Sequence, residues 1–260
     1  MLELNKFPID EGVYLLTVVN NNFEDLYIQL RKKEQRVYSD DDVMKLPFAG
    51  DSNPHKKEWN LRTKSFLRFK EYLGNKNENL SILDLGCGNC WLCGKLSKTL
   101  NHNYYCVDVN FTELKQGKRI FKSDNLKFLY ADIFTSDFPK SYFDIIILNS
   151  AVQYFSDLKK LIERLLVFLN DTGEIHIIDS PIYKVNEVSS AQQRTEQYFS
   201  SIDFLEMAKN YFHHNWNELA DFPYKILYYP NSLKNKMLRL LSFKDSPFPW
   251  ICIMREEKAA

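Results

Sequence analysis

The chain has 260 residues and a mass of 30.8 kDa, with 45% apolar and 26% charged residues, a composition that buries a core and does not suit a disordered chain. Lysine plus arginine equals aspartate plus glutamate at 34 each, so the formal net charge is 0. No bulk positive field draws such a chain onto phosphate polymers or acidic membranes, and nucleic acid is not an expected partner.

Several further classes fall away at the same level. The strongly apolar stretch at 143–148 is far short of the roughly 20 residues a bilayer helix needs, so no membrane span is expected. Glu3, Lys6, Asp10 and Glu11 interrupt the region where a secretory signal would be apolar. Five cysteines, three of them at Cys87, Cys90 and Cys93, do not have the spread of a disulfide scaffold, and a reducing cytoplasm is expected.

In chain order, residues 20–60 read as polar and loop-rich, with three asparagines at 20–22, an acidic run at 40–42, and Pro47 and Pro54 as breakers. From 59 to 73, Leu61, Phe66, Phe69 and Leu73 recur at helical spacing and predict an amphipathic helix. Residues 1–78 are accordingly read as an N-terminal helical cap. After it the chain alternates short β-rich runs with helical patterns, with strands expected at 80–85, 104–109, 126–130, 143–148 and 174–179. Between the last two, Leu158, Leu161, Ile162, Leu165, Leu166 and Leu169 form one helical stripe, ended by Asn170, Asp171, Thr172 and Gly173. A further helix through 202–214 would put Phe204, Leu205, Ala208, Tyr211 and Phe212 on one face. Strands at 224–229 and 250–254 complete the expectation: an α/β fold with a doubly wound, Rossmann-like, seven-stranded and mostly parallel sheet over 79–260, carrying an acceptor-side insertion at 180–222.

In such sheets ligands bind beyond the carboxyl ends of the strands, which directs attention to the turn after the first one. There Gly86 and Gly88 let the backbone pass close under a ligand, and a helix starts near Cys90, so a nucleotide-like ligand is implied. Trp91 stands where a G-x-G-x-x-G fingerprint needs a third small residue, and no G-x-x-x-x-G-K-[ST] run is present. Asp84, two residues before the first glycine, repels a pyrophosphate and attracts a cation. S-adenosylmethionine suits that environment, since it has no phosphate and carries a sulfonium and an ammonium.

At this point the sequence resembles a known family. Residues 82–88 are similar to motif I of class I S-adenosylmethionine-dependent methyltransferases, with Cys90 at the frequent third small position, and the run Gln153, Tyr154, Phe155 with its helix is similar to the general small-molecule type. In register with motif I, Asp108 ends the second β-run 20 residues past Gly88, the stretch 126–133 resembles the third-strand segment, and 143–149 resembles motif IV. The resemblance implies an enzyme that consumes S-adenosylmethionine and releases S-adenosylhomocysteine. It implies further that Asp84 holds the methionine amino group through water, and that Gly86 and Gly88 underlie the methionine chain. Asp108 would bind the ribose and Asp132 the adenine amino group, with Val109 and Ile133 on either side of the ring and Asn149 lining the methyl-donor end.

Outside 80–180 the residues leave alternatives open. Arg62 either pairs with the methionine carboxylate or sits solvated on the cap helix. The three clustered cysteines have a metal-like spacing but no fourth ligand pattern, so no metal is expected. His213 and His214 lie off the apolar face of the 202–214 helix and are read either as a general base in the acceptor cleft or as capping residues, with Tyr154 and Gln153 as competing acceptor contacts. The function expected is methyl transfer to oxygen or nitrogen of a small-molecule acceptor. The alternative is a non-catalytic partner or sensor that binds S-adenosylmethionine, and RNA or protein acceptors rank behind both.

Overall fold

A computed structural model describes residues 2–76, 79–241 and 244–255. In chain order the elements are β1 (Ile9–Asp10), β2 (Val13–Leu15), α1 (Asn21–Lys33), α2 (Asp40–Lys45), α3 (Lys56–Gly74), β3 (Ser81–Leu85), α4 (Trp91–Leu96), β4 (Asn103–Asp108), α5 (Phe111–Ile120) and β5 (Leu126–Tyr130). They continue with β6 (Phe143–Asn149), α6 (Leu158–Phe168), β7 (Leu169–Ile178), α7 (Val188–Ser201), β8 (Tyr224–Tyr228), α8 (Leu233–Leu240) and β9 (Trp250–Met254).

The strands form one sheet in the order β1-β2-β5-β4-β3-β6-β7-β9-β8. The run from β2 to β7 is parallel, and antiparallel pairs close both edges. This is a doubly wound α/β sheet with nine strands, where seven were expected. The two added strands are β1 and β2, and they come from the segment read as a helical cap. Two- and three-residue strands are too short to show a period of two in sequence.

The central strands are apolar almost throughout because both faces are covered. Alternate residues divide between two core layers: Leu83, Val107, Ile146 and Leu148 pack on the face that α6 covers, with Leu158, Leu161, Ile162 and Leu165. Ile82, Cys106, Ile145 and Ile147 pack on the other face, beneath Phe66, Phe69 and Leu73 of α3 and Leu92 and Leu96 of α4.

Two expectations of local structure change. The turn expected at 170–173 lies inside β7, where the register steps from Phe143–Leu169 to Ile145–Glu174 and skips those residues, while the Asn170 amide donates to the Asp144 carboxylate on β6. The helix expected over 202–214 is a 3-10 turn at Leu205–Asn210, preceded by α7. Asp203 takes φ 54°, a left-handed conformation that ends the helical run. Met207 of this turn, Phe199 of α7 and Leu30 of α1 share a small third core, which fastens α1 and α7 to each other above the carboxyl ends of the strands.

Candidate active site at the strand tips

The parallel strands deliver the turn at Gly86, Asp108, Asn149 and Asp179 to one edge of the sheet. Gly86 and Gly88 have φ of +73° and +54°, and a Cβ on Gly86 would come within 2.6 Å of the Ala151 methyl. Only glycine serves there. Cys90, also left-handed at φ 60°, begins α4.

Above this edge opens a cavity of about 1710 Å³. Ligand pockets commonly measure roughly 300–1,000 Å³, so this one has room for two small ligands side by side. Its floor is the 86–89 turn with Asp84 and Asn149. Arg62 and Trp59 of α3 stand on one side, and Tyr27 and Arg31 of α1, Tyr154, Tyr183, and Thr195 and Phe199 of α7 on the other.

The floor is rich in hydrogen-bond acceptors that lack donors. Asp84 is 1% exposed, and among the described residues its carboxyl takes only the Cys93 thiol, 3.3 Å away; burial pushes its pKa well above the usual carboxylate range. Among the described residues, Asn89 Oδ1, Asn149 Oδ1 and Gln153 Oε1 are buried with no hydrogen-bond partner. Gln153 is fixed in orientation because its Nε2 donates to the Ser150 carbonyl at 2.6 Å. Acceptor atoms left bare around a buried carboxyl are the complement of a cation that donates hydrogen bonds. At its methionine end, therefore, the site fits a ligand carrying an ammonium and a sulfonium.

The residues expected to hold adenosine are arranged differently. Asp108 Oδ2 accepts the Gly88 N–H at 2.7 Å and its Oδ1 that of Asn110 at 2.8 Å, so this carboxylate braces the turn. Asp132 closes the turn after β5 by accepting the Phe134 N–H, and its own N–H reaches Thr17 Oγ1. Val109 packs at the edge of one core layer, and Ile133 is buried in the other. None of these four lines the cavity. The chain between β2 and α1 lies against them, with the Asn20 N–H on the Tyr130 hydroxyl, and Glu24 accepting the first N–H groups of α5 at Phe111 and Thr112.

Arg62 lines the cavity but is held by Glu58 at 3.0 Å, and Glu58 is also gripped by Arg36 at 2.6 Å. Burial alone would raise Glu58, yet the two guanidiniums hold it down at about 2. Tyr154 stands in the wall, edge-on to the rings of Tyr27 and Tyr211 at 5.6 and 6.0 Å. The histidines lie elsewhere. His214 is 3% exposed and spends Nε2 on the carbonyls of Val152 and Phe155, with Nδ1 on Glu218. His213 meets the Thr195 hydroxyl at 2.8 Å, and both histidines line a neighbouring cavity of about 360 Å³ behind Tyr211.

Sequence reasoning passed over Tyr27, Arg31 and Glu113, which reach the cavity from α1 and α5. Glu113 sits in the first turn of α5, with Oε2 3.1 Å from where a Cβ on Gly88 would lie, and burial pushes its pKa up to about 7. An acid at the third position of a helix reads as an ordinary first-turn charge, and nothing in the sequence sets this one apart.

The model of a methyltransferase domain matches residues 76–242. The chain belongs to the methyltransferase domain family. Such domains use S-adenosylmethionine as cofactor. An uncharacterized methyltransferase of Mycobacterium tuberculosis is 26% identical over 97 residues, 37% of this chain and 49% of that protein, so the match spans about half the length of this relative. A phosphoethanolamine N-methyltransferase of Plasmodium falciparum is 23% identical over 189 residues, 65% of this chain and 68% of that one. The solved Haemonchus contortus phosphoethanolamine N-methyltransferase 2, in complex with phosphomonomethylethanolamine and S-adenosylhomocysteine, superimposes with a TM-score of 0.57 over 92% of this chain and 61% of its own. At 14% identity it shares the methyltransferase fold, and no more is taken from it.

Proposed function

We propose that this methyltransferase-family protein transfers the methyl group of S-adenosylmethionine to nitrogen or oxygen of a small molecule. The observation that carries the reading is one cavity whose floor holds the buried Asp84 beside the unpartnered acceptors of Asn89, Asn149 and Gln153 and whose far wall is built of tyrosines. One end suits a cationic donor, and the other leaves room for a second molecule. The walls contributed by α1, α3 and α7 favour a small acceptor over a polymer. Residues 1–78 and 180–222 are read as the two parts that close this chamber. The buried free thiols support a reducing, cytoplasmic setting, and among the described residues no helix is long and apolar enough to cross a membrane.

When bound, the cofactor supplies a methyl group on a sulfonium with a neutral thioether as leaving group. The protein's work is then placement, which is worth several kcal/mol when the reacting atoms are held in line. Asp84 receives the ammonium, and Gly86 and Gly88 keep the floor low beneath the chain that carries it. Gln153, clamped on the Ser150 carbonyl, offers Oε1 to the N–H or O–H of the nucleophile, turning its lone pair away from Gln153. Gln153 would orient the nucleophile as a hydrogen-bond acceptor, the carbon–sulfur electrons of the bound cofactor would stay on sulfur, and the acceptor's proton would leave to solvent. Calorimetry with S-adenosylmethionine and S-adenosylhomocysteine, followed by a test for S-adenosylhomocysteine formation with small amines and alcohols, examines this reading. Failure of both nucleosides to bind would sink it.

A further inference from the structure

The cavity does not share the neutrality of the chain. Arg31, Arg36, Arg62 and Arg194 line it together with three lysines, against five acids. Of those acids, Glu34 and Glu58 are already committed: Glu34 lies 3.3 Å from Arg31, and Glu58 bridges Arg36 and Arg62. The other three, Asp84, Glu113 and Asp179, are each raised by burial toward the neutral form. On the cationic side Arg194 of α7 is exposed, and among the described residues it has no carboxylate partner, only the Ser190 hydroxyl at 3.3 Å. The field inside the chamber is therefore positive.

The polar groups at the acceptor end carry the same sign. No hydrogen bond reaches the hydroxyls of Tyr154, Tyr183 and Tyr211 among the described residues, and burial raises Tyr183 and Tyr211, so both remain phenols able to donate. The rings of Tyr183 and Tyr211 flank His213 at 5.6 and 5.3 Å. The charge of Arg194 bears on Tyr183 and His213, and that of Arg31 on Tyr211. Arg194, Arg31, which is itself held by Glu34 and the Tyr27 hydroxyl, and the donor hydroxyls thus bear on one end of the chamber, away from the unpartnered acceptors of the floor.

Building on the methyl-transfer reading, we infer that the acceptor carries an oxyanion, a phosphate ester or a carboxylate, seated between Arg31, Arg194 and the hydroxyls of Tyr183 and Tyr211. A neutral acceptor would leave those donors unpaired, and a purely cationic one would oppose the field. Guanidinium forks and phenol donors match the planar or tetrahedral oxygens of such groups. Anchoring the anionic end fixes which atom of the molecule reaches Gln153, so the subsite sets both specificity and register.

The test is calorimetry of the full chain with inorganic phosphate and with acetate, each in the presence and absence of saturating S-adenosylhomocysteine. At least one anion is expected to bind, with Arg194→Gln weakening it fivefold or more and Tyr183→Phe weakening it further. Arg194 is on the surface, so its replacement is compatible with folding, and thermal unfolding checks this. The two anions separate phosphate from carboxylate recognition. Absence of binding by both, or binding that neither substitution alters, overturns the inference. Failure of S-adenosylhomocysteine to bind would count against the methyl-transfer reading alone, since the anion titration without it still gives its own answer.

Discussion

Cys93 donates its thiol hydrogen to Oδ2 of Asp84 across 3.3 Å, and this is the one hydrogen bond that carboxyl receives among the described residues. A thiol is a weak donor, and it leaves a carboxyl that is 1% exposed poorly compensated. The pair leaves the floor with an acid that burial shifts toward its neutral form, and an arriving cation would favour its charge.

A consequence is that donor binding expels a proton. Burial raises Asp84 well above the usual carboxylate range and a bound ammonium favours the carboxylate, so a proton held by the buried carboxyl leaves as the donor binds. Calorimetry in two buffers of different ionisation enthalpy should report this release, and donor affinity should rise with pH. In Asp84→Asn the release should vanish and affinity should fall at least tenfold, about 1.4 kcal/mol. An unchanged proton count in the variant would show that another group supplies the hydrogen.

Gly86 poses a steric question with a built-in control. Gly86→Ala puts a methyl 2.6 Å from the Ala151 Cβ and an L side chain at φ +73°. We expect a loss of about 1–3 kcal/mol in urea unfolding together with loss of donor binding. Adding Ala151→Gly removes the clash and leaves the backbone strain, so the double variant should recover part of the stability. No recovery would place the whole cost in the backbone.

Glu113 should titrate inside the physiological range. Its carboxyl faces Arg31, Asp108 and Glu24, and burial raises it from 4.5 to about 7. For an acid raised on folding, the folded state binds the extra proton, so stability is highest at low pH and falls as pH rises from about 4.5 to 7. Glu113→Gln should therefore be more stable than the parent at pH 8, by about 1–2 kcal/mol, with little difference at pH 4.5. Equal stabilities at pH 8 would mean that the carboxyl ionises at its ordinary value.

The contrast between what was legible in sequence and what was not follows from range. The stripe from Leu158 to Leu165 and the strand ending at Asn149 are written in consecutive residues, and the structure has α6 and β6 there. The turn at Gly86 is equally local, because positive φ asks for glycine. The acceptor wall is not local: Tyr27, Glu113, Tyr154 and Tyr211 come from four distant stretches, and only the packing of Leu30 against Phe199 and Met207 brings α1 across to α7. α1 has a polar sequence read as loop, and its helix is held largely by that tertiary contact and by Glu24 on α5. The aromatic pattern at 204–212 was legible as apolar but not as 3-10, since the break at Asp203 is a backbone event that the side chains do not announce.

The last prediction concerns the opposite end of the sheet, where Glu174 accepts the Tyr72 hydroxyl at 2.8 Å, the Lys76 ammonium at 2.7 Å and His176 Nε2 at 3.2 Å. Burial would raise this acid, but His176, Lys76 and Tyr72 hold it down at about 2. His176 is 0% exposed and is lowered by burial, and its Nδ1 accepts the Trp250 indole N–H at 3.1 Å, so the ring is neutral with its proton on Nε2, aimed at Glu174. Glu174, His176 and Cys252 bring three ligand-type atoms within 4.8 Å of one another, yet that proton occupies the lone pair a metal would need. Zinc is accordingly expected to leave the melting temperature unchanged. For Glu174 the sign is that of a depressed acid: its contribution is complete above pH 4.5 and is lost as pH falls toward 2. His176 acts in the same direction from about pH 6.5 downward, because the unfolded ring takes up a proton that the folded one refuses. Urea unfolding at pH 7, 5 and 3 should show a steep acid loss, and Glu174→Gln should cost about 1–3 kcal/mol at pH 7 and progressively less toward pH 3. A constant cost at all three pH values would mean that the carboxylate's charge contributes nothing and that its hydrogen bonds alone hold α3 to the sheet.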